Sequence, residues 1–162
     1  MPFKSIYLTF FLFLSFFNVQ AQEKPKLVVG IVVDQMRYEY LHRFAAKYGD
    51  NGFKKLMNEG FNIRNGHYNY IPTKTAPGHS SIYSGTTPSV HGVIANEWYD
   101  RKAGKLIDGA TDSNFTTVGS NSKRGQISPN NLKTTTITDE LRLSNQMRSK
   151  VVSISMKDRG AV

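Results

Sequence analysis

The segment Pro72-Thr73-Lys74-Thr75-Ala76-Pro77-Gly78-His79 concentrates residues that can do chemistry. Pro77 suits the first turn of a helix, where its missing N–H costs nothing. Thr75 then lies just before that helix. Its hydroxyl sits beside unpaired N–H groups and the positive end of the helix dipole. Such a place binds phosphate and favours an alkoxide over a neutral hydroxyl. A hydroxyl remains a weak nucleophile unless a base or a metal activates it. No histidine stands at an obvious spacing to serve as that base, so metal activation by Asp34 and partners is the better reading. From spacing alone a plain helix cap at Thr75 is the more ordinary reading. Two further cations, Lys157 and Arg159, follow an apolar run near the end of the chain. They can neutralise phosphoryl oxygens, or they can be solvated loop charges.

The elements that must position these residues read as an α/β pattern. Residues 26–33 and 150–156 are β-branched apolar runs suited to strands buried on both faces, as in a parallel sheet. Residues 61–70 read as a more exposed strand. Helical spacing covers residues 38–48 and 52–59, the second ending at Gly60. Residues 72–79 read as a loop and 80–84 as a short helix stopped by Gly85. Residues 93–100 and 105–107 read as a surface hairpin, and 108–131 as a long polar loop. Residues 136–148 read as a helix with a capping candidate before Asp139 and Glu140. Ligands of open α/β sheets lie outside the C-terminal ends of the strands. Asp34, the Thr73–His79 loop and the Lys157–Arg159 segment all fall at or just after such ends, which predicts one shared site.

Composition sets the outer limits. The chain has no cysteine, which excludes disulfides and thiolate metal sites, so any metal is held by oxygen and histidine nitrogen. Lys4, the apolar run from Ile6 to Phe17, and small residues at Val19 and Ala21 have the form of a secretory signal peptide, residues 1–21, cut after Ala21. The apolar run falls short of the roughly 20 residues that span a bilayer, so no stable membrane anchor is expected after cleavage. A periplasmic or secreted protein is expected. The net charge is +9. The cations are scattered, without a long run or an aromatic-interleaved stripe, which argues against nucleic acid as a partner.

Thr73-Lys74-Thr75-Ala76-Pro77-Gly78-His79, followed by Ser84-Gly85, Pro88, His91-Gly92 and Asn96, resembles the nucleophile signature of the alkaline phosphatase superfamily. It is closest to the nucleotide pyrophosphatase/phosphodiesterase branch and its relatives. Val32-Val33-Asp34-Gln35 resembles the first metal-binding Asp of that superfamily. Lys157-Asp158-Arg159 resembles the Lys-x-Arg of the phosphate-irrepressible alkaline phosphatases of Bacteroidetes. The resemblance implies an α/β fold, the N-terminal part of an alkaline-phosphatase-like domain with a mostly parallel sheet flanked by helices. It implies that Thr75 is both nucleophile and zinc ligand, and that Asp34 binds the same zinc. Asn96, Lys157 and Arg159 would hold phosphoryl oxygens. Two zinc ions would clamp the attacking and leaving oxygens, and the reaction would pass through a phospho-threonine.

Within that resemblance, Lys157 and Arg159 point to small-molecule phosphate monoesters, whose transferred group carries more charge than a diester's. The alternatives are a phosphodiesterase or nucleotide pyrophosphatase of the same superfamily, and a non-catalytic phosphate-binding periplasmic protein. His79 and His91 are expected to support loops by hydrogen bonding. His42 and His67 are expected at the surface, and Trp98 with Tyr99 in packing. Only Asp34 and Thr75 match metal ligands, so residues 22–162 read as an incomplete N-terminal portion of a catalytic domain. Such a piece is expected to be inactive, and the full-length parent a phosphatase.

Overall fold

A computed structural model of the chain describes residues 25–162; residues 1–21, read from the sequence as a signal peptide, lie outside the described residues. The chain divides into two compact units, Met1–Ile31 and Val32–Val162. In the first, residues 25–31 carry no helix or strand, and Leu27, Val28, Val29 and Ile31 are exposed.

The second unit is mixed α/β. Its α-helices are Glu39–Arg43, Phe53–Glu59, Thr75–Ser84, Pro88–His91 and Ile137–Ser144. Strands β1 (Glu97–Asp100) and β2 (Lys105–Asp108) pair antiparallel, with Glu97 opposite Asp108 and Asp100 opposite Lys105. The Asp100 carboxylate accepts from Lys102 N and Ala103 N at the turn, which holds it below the usual carboxylate range. The polar stretch after β2 is closed on itself by a Thr111–Ile127 bridge and a 3-10 turn at Lys123–Gly125.

Several expectations are met for the expected reasons. Gly85 takes the left-handed conformation (φ 67°) and ends the Thr75–Ser84 helix. Thr136 caps the Ile137–Ser144 helix in a reciprocal box with Asp139. The helical region 38–48 splits into Glu39–Arg43 and a 3-10 turn at Ala45–Lys47. Other expectations need correction. Gly60 ends its helix in an extended, not left-handed, conformation (φ −104°), and a Cβ there would press on Leu56 O. Residues 26–33, 61–70 and 150–156 form no ladder among the described residues. A strand is stabilised through its neighbours, and the described sheet is the β1–β2 hairpin alone. Apolar side chains of these runs stand in solvent, Ile154 and Phe61 among them.

The core lies under the first half of the Thr75–Ser84 helix. Ala76, Pro77, Gly78 and Ser81 are buried there, with Val93 and Ala110 also buried. Gly109 allows close approach, since a Cβ on it would meet Ala76 Cβ at 3.5 Å and Ala95 O at 3.3 Å. His91 is fully buried. Val93 N donates to His91 Nδ1 at 3.2 Å, so Nδ1 is unprotonated and Nε2–H faces Ser81 Oγ at 2.9 Å. Its carbonyl accepts from Lys133 N, and Gly92 must be glycine because its φ is 85° and a Cβ would strike Lys133 and Asn131.

Burial lowers the His91 pKa from its ordinary 6.5. The neutral ring therefore contributes stability that is complete above about pH 6.5 and is lost as pH falls through the lowered folded value. Urea unfolding midpoints should drop on acidification below that pH. His91→Asn, which keeps an acceptor for Val93 N but does not titrate, should flatten the drop. An unchanged slope in the variant would assign the acid sensitivity elsewhere.

Candidate active site

Thr75 is the first residue of its helix, one step further in than its sequence position suggests. The helix begins before Pro77 because Lys74 is extended (ψ 173°) and its carbonyl accepts from Gly78 N at 2.9 Å. Pro77 falls in the first turn, where no intrahelical N–H is needed. The Thr75 carbonyl accepts from His79 Nδ1 at 2.9 Å, which makes His79 the Nδ1–H tautomer and a brace for this turn. The Thr75 hydroxyl donates to Asp34 Oδ2 at 3.1 Å, across 41 residues of sequence.

Asn96 is tied to the same turn. Its Oδ1 accepts from Ala76 N at 2.9 Å, satisfying one of the free N–H groups of the helix start. That bond fixes the amide's orientation and leaves the NH₂ group as a donor. Asn96 in turn is held by the hairpin, where its carbonyl accepts from Gly109 N at 2.8 Å.

The two cations are each held by a carboxylate. Lys157 Nζ lies 3.6 Å from Asp34 Oδ2, the oxygen that also receives the Thr75 hydroxyl. Arg159 Nη2 lies 3.3 Å from Asp108 Oδ2, with both side chains largely shielded. Asp108 Oδ1 meanwhile accepts from Ala110 N and Thr111 N, so the carboxylate is a rigid anchor. Thr75, Asn96, Lys157 and Arg159 line one cavity of about 660 Å³, together with Arg124 and Ile127. The predicted site residues Asp34, Thr75, Asn96, Lys157 and Arg159 are thus brought together.

Asp34 and Thr75 supply two oxygen ligands in mutual contact, which fits half of a tetrahedral zinc shell. Among the described residues no three His, Cys, Asp or Glu side chains converge on one point. The histidines behave as expected: His79 and His91 brace backbone, and His42 and His67 are exposed. Trp98 is half-buried, whereas Tyr99 points to solvent, because alternate residues of β1 face opposite ways.

Sequence reasoning missed Asp108 and Arg124. A signal for Asp108 was present. Closing the hairpin in register places it opposite Glu97, beside Asn96. Arg124 sits in a polar loop whose course no periodicity reveals.

A family model described as Type I phosphodiesterase / nucleotide pyrophosphatase matches residues 28–154. The chain is 53% identical over 143 residues to the alkaline phosphatase PhoV of Synechococcus elongatus, covering 88% of this chain and 26% of that protein. It is 49% identical over 146 residues to the alkaline phosphatase PafA of Elizabethkingia meningoseptica, covering 90% and 27%. The crystal structure of wild-type PafA superposes with a TM-score of 0.84 at 50% identity, over 86% of this chain and 27% of that one. A crystal structure of a PafA variant with a threonine, an asparagine, a lysine and an arginine replaced matches equally well, also at 0.84. The chain therefore spans about a quarter of the length of the curated relatives it matches.

Asp108→Asn keeps the Oδ1 acceptor for Ala110 and Thr111 and removes the charge that aims Arg159. Calorimetry on the full-length gene product should show inorganic phosphate binding weakened about tenfold, the loss of one well-placed charge-assisted contact. Unaltered affinity would mean that Arg159 holds its place without Asp108.

Proposed function

Since the chain belongs to the type I phosphodiesterase / nucleotide pyrophosphatase family of the alkaline phosphatase superfamily, we propose that its full-length protein hydrolyses phosphate monoesters with Thr75 as nucleophile. The observation that carries this reading is the convergence of one hydroxyl, one amide and two cations on a single cavity. The residue types replaced in the PafA variant, Thr, Asn, Lys and Arg, follow the same order as Thr75, Asn96, Lys157 and Arg159.

In this account the substrate's phosphoryl oxygens lie against the Asn96 NH₂ group, the Lys157 ammonium and the Arg159 guanidinium. Asn96 and Arg159 are held in place before substrate arrives, so charge developing on the phosphoryl group meets prearranged donors. Asp34 Oδ2 holds the Thr75 proton, leaving an Oγ1 lone pair to face phosphorus. A bond forms from Thr75 Oγ1 to phosphorus as the bond to the leaving oxygen breaks, and the leaving alkoxide takes up the proton that Thr75 gives up. Water then attacks phosphorus, the bond to Thr75 Oγ1 breaks, Thr75 regains a proton from the water, and inorganic phosphate is released. Zinc held by Asp34 and Thr75 would supply Lewis-acid activation of the hydroxyl; two ions are expected in the full-length protein. The monoester preference follows from Lys157 and Arg159, because a monoester presents one more negative charge than a diester.

The reading includes export to the periplasm or beyond, resting on the signal-like residues 1–21. Small phosphate esters are the partners, and the scattered cations speak against nucleic acid. The second reading is a diesterase or nucleotide pyrophosphatase, favoured by the description of the matching family model.

Paired kinetics on the full-length gene product separate the two. Thr75→Ala should abolish turnover of both ester types. Lys157→Ala and Arg159→Ala should each lower kcat/KM for a monoester by on the order of tenfold to a hundredfold, and much less for a matched diester. An equal loss on both would remove the basis of the monoesterase assignment.

A further inference from the structure

The cavity holds a cation that the phosphoryl chemistry leaves unused. Arg124 lines it beside Ile127, in company with Thr75, Asn96, Lys157 and Arg159. The three cations differ in their surroundings. Lys157 is paired with Asp34 and Arg159 with Asp108, whereas no ion pair and no side-chain hydrogen bond of Arg124 occurs among the described residues.

Its backbone, by contrast, is well fixed. Ser122 Oγ accepts from Arg124 N at 3.2 Å, and Thr117 Oγ1 accepts from Gly125 N at 2.7 Å. Thr117 Oγ1 also donates to Ser122 O at 2.6 Å, which closes the loop on itself. A Cβ at Gly125 would run into Thr117, so the chain packs tightly where it turns. Gln126 O accepts from Asp112 N, and Ser128 N donates to Ala110 O, joining this loop to the segment after β2. Arg124 is exposed, lines the cavity from a rigid loop and has no acid partner among the described residues, so its guanidinium keeps its full valence for a ligand.

The size of the cavity says where that ligand lies. About 660 Å³ is within the range of pockets that take whole small molecules, and far exceeds one phosphoryl group. The Asn96, Lys157 and Arg159 set accounts for the transferred group. What remains is room for the leaving group, lined by the apolar Ile127 and Met156 and by the cation Arg124; the one carboxylate of the lining, Asp158, is paired with Arg159 Nε at 3.5 Å.

We propose that Arg124 and Ile127 form a leaving-group subsite for phosphate monoesters whose alcohol portion carries its own carboxylate or phosphate. The inference rests on the monoesterase reading above and deepens it. Arg124 gives two parallel donors, which match a carboxylate or phosphate in a fork-to-fork contact. Ile127 covers the carbon skeleton between the two anions.

Phenyl phosphate and 4-carboxyphenyl phosphate make a matched pair for the test, on the full-length gene product. Arg124→Ala should lower kcat/KM for the carboxylated ester about tenfold, and for phenyl phosphate by less than about twofold. Arg124→Glu should invert the preference between the two esters. Phenyl phosphate turnover shows that each variant is folded and competent. Equal losses on both esters, or no loss on either, would overturn the subsite while leaving the monoesterase reading intact. A wild-type protein that turns over neither ester would overturn that reading, and the subsite with it.

Discussion

One side-chain carbonyl sets the geometry of the site. Asn96 Oδ1 accepts from Ala76 N at the start of the Thr75–Ser84 helix, while the Asn96 carbonyl accepts from Gly109 N, just past the second strand of the hairpin. Through these two bonds the helix start and the hairpin base become one frame. Leaving a buried N–H without a partner costs about 1–3 kcal/mol, so the frame resists being pulled apart. The remaining parts attach to it. The hairpin register sets Asp108 beside Asn96, Asp108 aims Arg159, and the helix start offers the Thr75 hydroxyl to Asp34. Small residues make the frame possible. Ala76 and Gly109 pack where a larger side chain would push the helix off the hairpin.

Charge is arranged in opposed pairs around the cavity. Asp34 faces Lys157 and Asp108 faces Arg159, so each cation is held before any ligand arrives. Such preorganisation removes the cost of ordering long flexible side chains during binding. Lys157 is the more exposed of the two, and its pair with Asp34 is weakened by solvent screening. Arg159 is the better shielded, and its anchor is itself clamped by two backbone N–H groups. The asymmetry makes Arg159 the fixed contact and Lys157 the adaptable one. Further back, a neutral His91 fills the core without bringing an unpaired charge into it.

Much of this was legible beforehand, though unevenly. Thr75 and the Lys157–Arg159 pair were marked by residue type and position, Asn96 only through the family resemblance, and the structure gathers them. The hairpin and the Thr136 cap were legible because local pairing and capping need only nearby residues. The start of the Thr75 helix was misplaced, since Pro77 can occupy any position of a first turn and spacing does not say which. The expected strands at 26–33, 61–70 and 150–156 have the right composition, but strand formation depends on partners remote in sequence. Asp108 escaped notice because its role comes from a cross-strand neighbour and from a residue 51 positions later. Arg124 lies in a loop held by hydroxyl-to-backbone bonds, which leave no periodic trace.

The account's central claim is that Thr75 forms the covalent bond to phosphorus. The most direct measurement mixes the full-length gene product with a phosphate monoester, quenches in acid during turnover, and maps the phosphorylated peptide by mass spectrometry. The account predicts phosphate on Thr75, absent without substrate. Turnover with phosphate on a different residue, or with no phosphorylated peptide at any quench time, would contradict it.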